Sequence, residues 1–437
     1  MQKPDKQKMN LEKKKNMTFK SYYVAAIFLI ALVPAAIYLT GDDNGDILEK
    51  QETKINKEGL SAHNDSGILG CDLFSGRWVF DKISYPLYRE SQCSFMLDDY
   101  ACQKYGRTDS KYQQWRWQPH QCNLPRFDGT AFLEKIRGKR LAFVGDSLNK
   151  NQWTSMLCLI ESSLGRSSPK LVVQRGNLFI LHAIEYNATI EFYWSPLLVE
   201  SNCDDPEHHH GLRDRIIRVM AIEKHARHWT DADIIIFDSF MWWLEPTMTI
   251  LWGSFESSDA IYQRVEMRTK RYEMALNTWS DWLEMNINRT KTKLFFMSLS
   301  PCHFHGESWD VEQNCYKETE PILKEDYWGI ATDREMMHVA ESSVRKLEKR
   351  GLKIEYLNIT NLSDYRKDAH PSIYRKFFES PSEEQLANPK TYSDCVHWCL
   401  PGVPDATGAG SSLRVTEMDD MNAKNKLFSV EINGGIV

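Results

Sequence analysis

The feature that most constrains this chain's fold is an alternation along its second half. Short strand-like runs at 141–144, 234–237, 294–297 and 352–357, the first three wholly apolar, are separated by segments with helical spacing at 149–161, 259–288 and 333–350. Runs of this length suit strands and are too short for helices that bury an apolar face. Strands alternating with helices predict a mostly parallel sheet covered on both faces, because each parallel return needs a crossover. The expected class is α/β, with ligands beyond the carboxyl ends of the strands.

The N-terminal end reads differently. Residues 1–20 hold seven lysines against Asp5 and Glu12, and 21–40 carry no charge. At about 1.5 Å per residue, twenty apolar-rich residues span a hydrocarbon core of about 30 Å. The lysines precede this run, and Asp42, Asp43, Asp46 and Glu49 follow it. The positive-inside rule therefore predicts a cytosolic tail (1–20), a transmembrane anchor (21–40) and a lumenal remainder. A cleaved signal peptide would have a shorter apolar run and a briefer basic region. Residues 41–69 are polar without an apolar period, which predicts a flexible stem. A net charge of -6 gives no electrostatic reason to expect nucleic acid as a partner.

All ten cysteines follow the anchor, where an oxidising lumen would pair most of them. The region 70–128 is rich in cysteine and aromatics, so a small disulfide-stapled unit with short strands is expected there. The pairing itself is left open by the sequence. Sequons at Asn64, Asn187, Asn288, Asn358 and Asn361 fit the same compartment.

Two motifs carry chemistry. Gly145-Asp146-Ser147 ends the first apolar run, where a strand hands over to a helix. A serine there is exposed at the sheet edge, beside helix N–H groups that can hold an oxyanion. Alone, such a serine is more often a helix N-cap. The second motif is Asp394-Cys395-Val396-His397. A serine hydroxyl needs a base to take its proton, and a carboxylate fixes the tautomer of that base. Asp and His three residues apart on one helical turn face the same way, so one segment could supply both. The competing reading is a structural ion pair.

Six blocks then follow in order: FVGDSLNKNQ, IIIFDSFMWW, SPCHFHGESW, CYKETEPI, LNITNLSDYRKDAHPSIY and DCVHWCLPGVPD. Together with CDLFSGRWVFD near the start, they resemble the plant trichome birefringence-like family of polysaccharide O-acetyltransferases. The match runs from about Cys71 to Asp405, and two blocks look most like the branch that acetylates xylan. The resemblance implies an SGNH/GDSL-like three-layer sandwich over 129–405, with Ser147 as nucleophile and Asp394 and His397 as its partners. It further implies a single-pass type II Golgi membrane protein, an acetyl-serine intermediate, xylan as acceptor and an acetyl donor, with acetyl-CoA a candidate. An esterase using the same triad and a non-catalytic polysaccharide-binding protein are the alternatives. Two departures stand out. Asp238 occupies a position where relatives often carry Asn, and a carboxylate there would repel an oxyanion unless protonated. The tail 406–437 departs from the family and is expected to cost packing near His397.

Other residues were weighed for binding. Trp242, Trp243 and Trp398 are candidates for a sugar groove, and Asp238 and Arg140 complete the expected substrate-binding set. Arg140 and Lys150 could meet an anionic donor or a glucuronic-acid branch, although solvated surface is the ordinary fate of such residues. His208-His209-His210 lacks a second ligand cluster, so no metal is expected and a solvated loop is favoured. His370 is a rival base, read as structural or substrate-facing because it sits in a Pro-bounded loop.

Overall fold

The computed structural model describes residues 71–414, apart from 165–169, 210–211, 213, 305–313, 325–326, 330–331, 378–379, 409, 411 and 413. The tail, anchor and stem expected over 1–69, Asn64, and the chain end after 414 lie outside the described residues. Among the described residues no helix is long and apolar enough to cross a membrane.

β1 (Gly76–Phe80) and β2 (Trp115–Pro119) pair as an antiparallel ribbon. α1 (Gly129–Lys135) leads into β3 (Arg140–Gly145), and α2 (Ser147–Leu164) starts after a single intervening residue. β4 (Lys170–Arg175), β5 (Leu178–Ala183) and β6 (Ala188–Trp194) form a meander. Then come β7 (Glu200–Ser201), β8 (Ile216–Arg218), β9 (Ile234–Phe237), β10 (Met248–Trp252) and β11 (Ile261–Val265). α3 (Arg268–Asn286), β12 (Lys293–Met297), α4 (Arg334–Lys349) and β13 (Ile354–Leu357) complete the frame.

The main sheet has the order β13-β12-β9-β3-β6-β5-β4. β13 through β6 pair in parallel, and β5 and β4 extend the sheet antiparallel. Its side chains alternate between two cores. Leu141 and Phe143 of β3 and Ile234 and Ile236 of β9 meet α1 and α2 on one face. Ala142, Val144, Ile235 and Phe237 meet α3 and α4 on the other. Burial on both faces explains why these strands read as unbroken apolar runs. The result is helix, sheet and helix in three layers.

The four expected strands match β3, β9, β12 and β13. The expected helix over 259–288 is a correction: it begins only at Arg268, because 261–265 is β11, paired with β10 in a second sheet. Ile261 and Tyr262 stand exposed on that hairpin, so they never formed the buried face that helical spacing implied. β6 escaped the sequence because a charge interrupts it. Glu191, buried within it, is matched by the Arg140 guanidinium through two hydrogen bonds of 2.9 Å.

The cysteine-rich region is stapled into the body of the molecule. Cys71–Cys122 closes the region on itself. Cys93–Cys158 ties it to α2, and Cys102–Cys399 ties it to the segment after His397. Cys315–Cys395 fixes the same segment from the other side, while Cys203 and Cys302 stay as buried thiols. Trp78 and Trp117 enter the core shared with α1 and α2, and the Trp78 indole donates to the Leu362 carbonyl at 2.7 Å. Cys102–Cys399 spans 297 residues, so opening it releases a long loop of the unfolded chain. The double variant Cys102→Ser, Cys399→Ser is expected to lose about 2–5 kcal/mol of stability. Urea unfolding checks this, and a midpoint unchanged from the parent would refute it.

The unusual tail packs better than its sequence suggests. Thr407 donates to Gln152 of α2 at 2.7 Å. Arg414 donates to the Cys71 carbonyl at 2.8 Å and pairs with Glu355 at 3.1 Å. Up to Arg414 this segment therefore covers α2 and the start of the cysteine-rich region.

Candidate active site

Gly145 makes the strand-to-helix turn possible by its size. A Cβ there would lie 2.3 Å from the Asp238 carbonyl oxygen and 3.0 Å from the Asn149 amide nitrogen, so no side chain fits. Asp146 caps the following helix by accepting from the Leu148 N–H at 2.9 Å. Ser147 is the first residue of α2, and among the described residues its own N–H meets no acceptor. That N–H, at a helix N-terminus, is an oxyanion donor in waiting. The Tyr100 hydroxyl donates to the Ser147 carbonyl at 2.8 Å and holds the turn from outside.

Asp394 and His397 converge on this serine from 250 residues away. His397 Nε2 lies 2.7 Å from Ser147 Oγ, and His397 Nδ1 lies 2.9 Å from Asp394 Oδ2. The sequence expected a helical turn here, and that is corrected. No helix forms between 394 and 397. Instead Asp394 Oδ1 accepts from the N–H groups of Val396 and His397, both at 3.0 Å, and builds the turn itself. One carboxylate thus shapes the loop with one oxygen and orients the imidazole with the other.

The loop is pinned on every side. Asp394 exchanges two 2.9 Å backbone bonds with Ser372. The Trp398 N–H donates to Asn151 of α2 at 2.9 Å, one turn beyond the nucleophile. His370, the rival base, is buried and stacks on Trp398 with ring centroids 4.0 Å apart. Its Nδ1 donates to the His397 carbonyl at 2.6 Å, and its Nε2 faces His303 Nδ1 at 2.7 Å. Burial pushes the His370 pKa well below its usual value. It carries the backbone of the base and takes no part in the cavity.

Electrostatics match the geometry. Burial disfavours the His397 imidazolium, but the charge and hydrogen bond of Asp394 outweigh it, so its pKa is raised. Burial likewise opposes ionisation of Asp394, and the His397 charge overcomes this and holds the carboxyl below its usual range. The His397 side chain is 25% exposed and that of Asp394 10%, so the imidazole is open to the cavity while its partner stays shielded.

Ser147 and His397 open into a cavity of about 370 Å³. Trp242 and Trp194 form an aromatic wall, with ring centroids 5.6 Å apart in an edge-to-face pair. His209 packs against both rings, and the Arg215 guanidinium lies 4.0 Å over Trp242. Trp242 is the half-buried ring of the three, with Trp194 and His209 buried behind it, and a partly open aromatic face suits the apolar face of a sugar ring. Lys150, Arg375, Lys376 and Asp99 add charge at the mouth.

The expected binding set divides. Trp242 lines the cavity. Trp243 does not: it is buried, with its indole donating to Ser239 at 3.0 Å. Trp398 is buried too and donates to Ser300 at 3.0 Å. A position after a strand end did not make Trp243 accessible, nor did a place beside His397 make Trp398 so. Arg140 starts β3, about 16 Å of strand from Gly145 at ~3.3 Å per residue, and serves Glu191 there. The histidine run is no simple solvated loop, since His209 sits in the cavity wall while His208 is exposed. Of the sequons, Asn187 and Asn288 are exposed, Asn358 is half-buried, and the Asn361 amide is engaged with the Tyr327 carbonyl at 3.1 Å. Tyr100, Asp99, His209, Arg215, Arg375 and Lys376 were missed. For Asp99 and Tyr100 the only signal was nearby Cys102, whose partner Cys399 lies beside the base, and pairing is invisible in the sequence.

Asp238 is buried at the end of β9 and does not line the cavity. Burial and the neighbouring Asp146 charge push its pKa well above the carboxylate range. A neutral carboxyl removes the anticipated repulsion of an oxyanion. Because the folded pKa is raised, the stability this group contributes is full below the unfolded value of about 3.9 and is lost as pH rises through the folded value. Asp238→Asn should therefore melt above the parent at neutral pH, with the gap closing toward pH about 4. Melting curves across that range showing a constant or reversed gap would contradict the assignment.

Comparison with known proteins agrees with this geometry. Residues 124–407 match the model of PC-Esterase, described as a GDSL/SGNH-like acyl-esterase family found in Pmr5 and Cas1p, and residues 69–123 match the PMR5 N terminal domain. Protein trichome birefringence-like 34 of Arabidopsis thaliana is 49% identical over 387 residues, covering 87% of this chain and 92% of the relative. Xylan O-acetyltransferase 14 of Oryza sativa subsp. japonica is 48% identical, covering 79% of this chain and 77% of the relative. Xylan O-acetyltransferase 12 of the same species is 52% identical, covering 78% and 69%. With a closed Ser-His-Asp arrangement at a strand end and matches of this extent, the chain belongs to the GDSL/SGNH-like acyl-esterase family, among its trichome birefringence-like members.

Proposed function

We propose that this chain is a xylan O-acetyltransferase that works through an acetyl-Ser147 intermediate. The observation that carries this reading is the relay Ser147–His397–Asp394, closed at 2.7 and 2.9 Å beside an aromatic-walled cavity. Relatives named xylan O-acetyltransferases support the choice of polymer.

The chemistry follows from the atoms in place. Ser147 Oγ attacks the acetyl carbonyl carbon as its proton passes to His397 Nε2. The developing oxyanion is met by the Ser147 N–H. His397 returns the proton to the departing donor group, which leaves acetyl-Ser147. A xylosyl hydroxyl then gives its proton to His397 and attacks the acetyl carbon, and Ser147 Oγ recovers the proton as it leaves. Two half-reactions sharing one covalent intermediate imply ping-pong kinetics.

The donor we favour is acetyl-CoA. The charge pattern around 21–40 supports a single-pass type II anchor there, and the family resemblance supports a Golgi location. The test incubates the full chain with an acetyl donor and defined xylan, mannan and pectin oligomers, read by mass spectrometry. Acetyl addition to xylo-oligomers is the expected outcome. Acetate release from acetylated xylan, with no transfer to any acceptor, would mean an esterase. Failure of a serine-reactive acyl probe to label Ser147 would favour a binding protein.

A further inference from the structure

The cavity holds an imbalance that acetyl transfer to a neutral sugar does not require. Four cations line it: Lys150, Arg215, Arg375 and Lys376. Two are already matched. Arg215 pairs with Glu245 at 2.8 Å, and Lys376 reaches Asp98 at 3.4 Å. Lys150 and Arg375 are not: among the described residues, neither has a carboxylate within ion-pairing distance. Lys150 Nζ lies 4.5 Å over the Phe179 ring, and the Arg375 guanidinium 5.0 Å over Phe377.

Both cations are costly where they are. Lys150 is half-buried, and burial lowers its pKa despite the distant charges of Asp99 and Glu207. Arg375 Nε is buried without an acceptor. Removing a cation from water without a counter-charge is unfavourable, and a ligand anion that supplies the charge recovers that cost. Their placement is specific as well. Lys150 lies one helical turn after Ser147 and so shares its face of α2. Arg375 is close enough to Asp394 for its charge to favour that carboxylate. The two therefore flank the nucleophile from the α2 side and from the side of the catalytic loop.

We propose that Lys150 and Arg375 form an anion subsite beside Ser147 that receives a carboxylate or phosphate carried by one of the two substrates. This rests on the acetyl-transfer reading and extends it. A phosphate would come from the acetyl donor, and a carboxylate from an acidic branch on the acceptor. The planar Arg375 fork suits either group in two-point contact, and Lys150 adds a point charge. Asp99, also at the mouth, directs the anion away from its own side.

The test compares charged and neutral partners in the full chain and in Lys150→Gln and Arg375→Gln. The donors are acetyl-CoA and neutral p-nitrophenyl acetate. The acceptors are xylotetraose and the same oligomer bearing a glucuronic-acid branch. The reading is the ratio of KM values, charged over neutral, within each pair. Each substitution should raise one ratio about tenfold or more, as expected for loss of a charge-assisted hydrogen bond. The pair that moves identifies the source of the anion. In the parent chain, about 1 M salt should erode the same preference, because the Debye length falls to about 3 Å. Ratios unmoved by both substitutions overturn the subsite. If a variant fails to fold, a parent preference that ignores salt overturns it instead. Absence of acetyl-Ser147 in the parent chain overturns the acetyl-transfer reading and the subsite together, whereas acetyl-Ser147 with unmoved ratios overturns the subsite alone.

Discussion

Ser147→Ala is expected to lower turnover by roughly 10⁶-fold, the scale seen when a triad nucleophile is removed. No other hydroxyl replaces it, because His397 Nε2 is directed at this oxygen alone within hydrogen-bond distance among the described residues. The fold should survive. The hydroxyl is partnered by His397 Nε2, while the turn is held by Gly145, Asp146 and Tyr100 through other atoms. Acceptor binding should therefore persist, and the melting temperature should stay near that of the parent. His397→Ala should cost a similar factor, and the double variant little more, since the two residues act as one unit. Single-turnover assays with a labelled acetyl donor give the comparison. Turnover of Ser147→Ala within tenfold of the parent, or additive losses in the double variant, would mean that this serine is not the acyl carrier.

Asp394→Asn should lower turnover by about 10⁴-fold, the scale found where an amide replaces the triad carboxylate. An amide nitrogen facing Nδ1 favours the tautomer with its proton on Nε2, which can no longer take one from Ser147. The pH profile adds a second signature. His397 must be neutral to act as base, and Asp394 raises its pKa, so parent activity falls as pH drops through that raised value. Without the carboxylate the imidazolium loses its counter-charge, and the acid limb moves to lower pH. Stability carries the same signs. Asp394, with its pKa depressed, contributes above about pH 4 and loses that contribution as pH falls through its folded value. His397, with its pKa raised, contributes fully below about pH 6.5 and loses it as pH rises through its folded value. The variant should thus be least stable relative to the parent between about pH 4 and 6.5. An unshifted acid limb would show that Asp394 does not set the charge of the base.

Legibility in the sequence followed the range of the interactions. The cores of β3, β9 and β12 were readable because burial on both faces imposes apolar residues there, and β13 because Ile354 and Leu357 are buried at its two ends. β6 was not, because Glu191 is tolerated only by an arginine 51 residues away. β11 was taken for helix because its exposed residues obey pairing with β10 instead of a buried face. Ser147, His397 and Asp394 were readable as a proposed triad because each reaction role demands a residue type in a particular local setting. Around them, Trp243 and Trp398 looked like Trp242 in sequence, and only packing separated the cavity wall from the core.

The sequence alone therefore determined the class of sheet, the serine at its edge and the carboxylate–imidazole segment, since these depend on local periodicity and on side-chain chemistry. Tertiary structure decided which cysteines join and which aromatic ring faces the cavity. It also decided that Asp394 builds a turn in place of a helix, and that among the described residues Lys150 and Arg375 have no carboxylate within ion-pairing distance. Those outcomes depend on the distance between residues remote in the chain, and distance is fixed only when the chain packs.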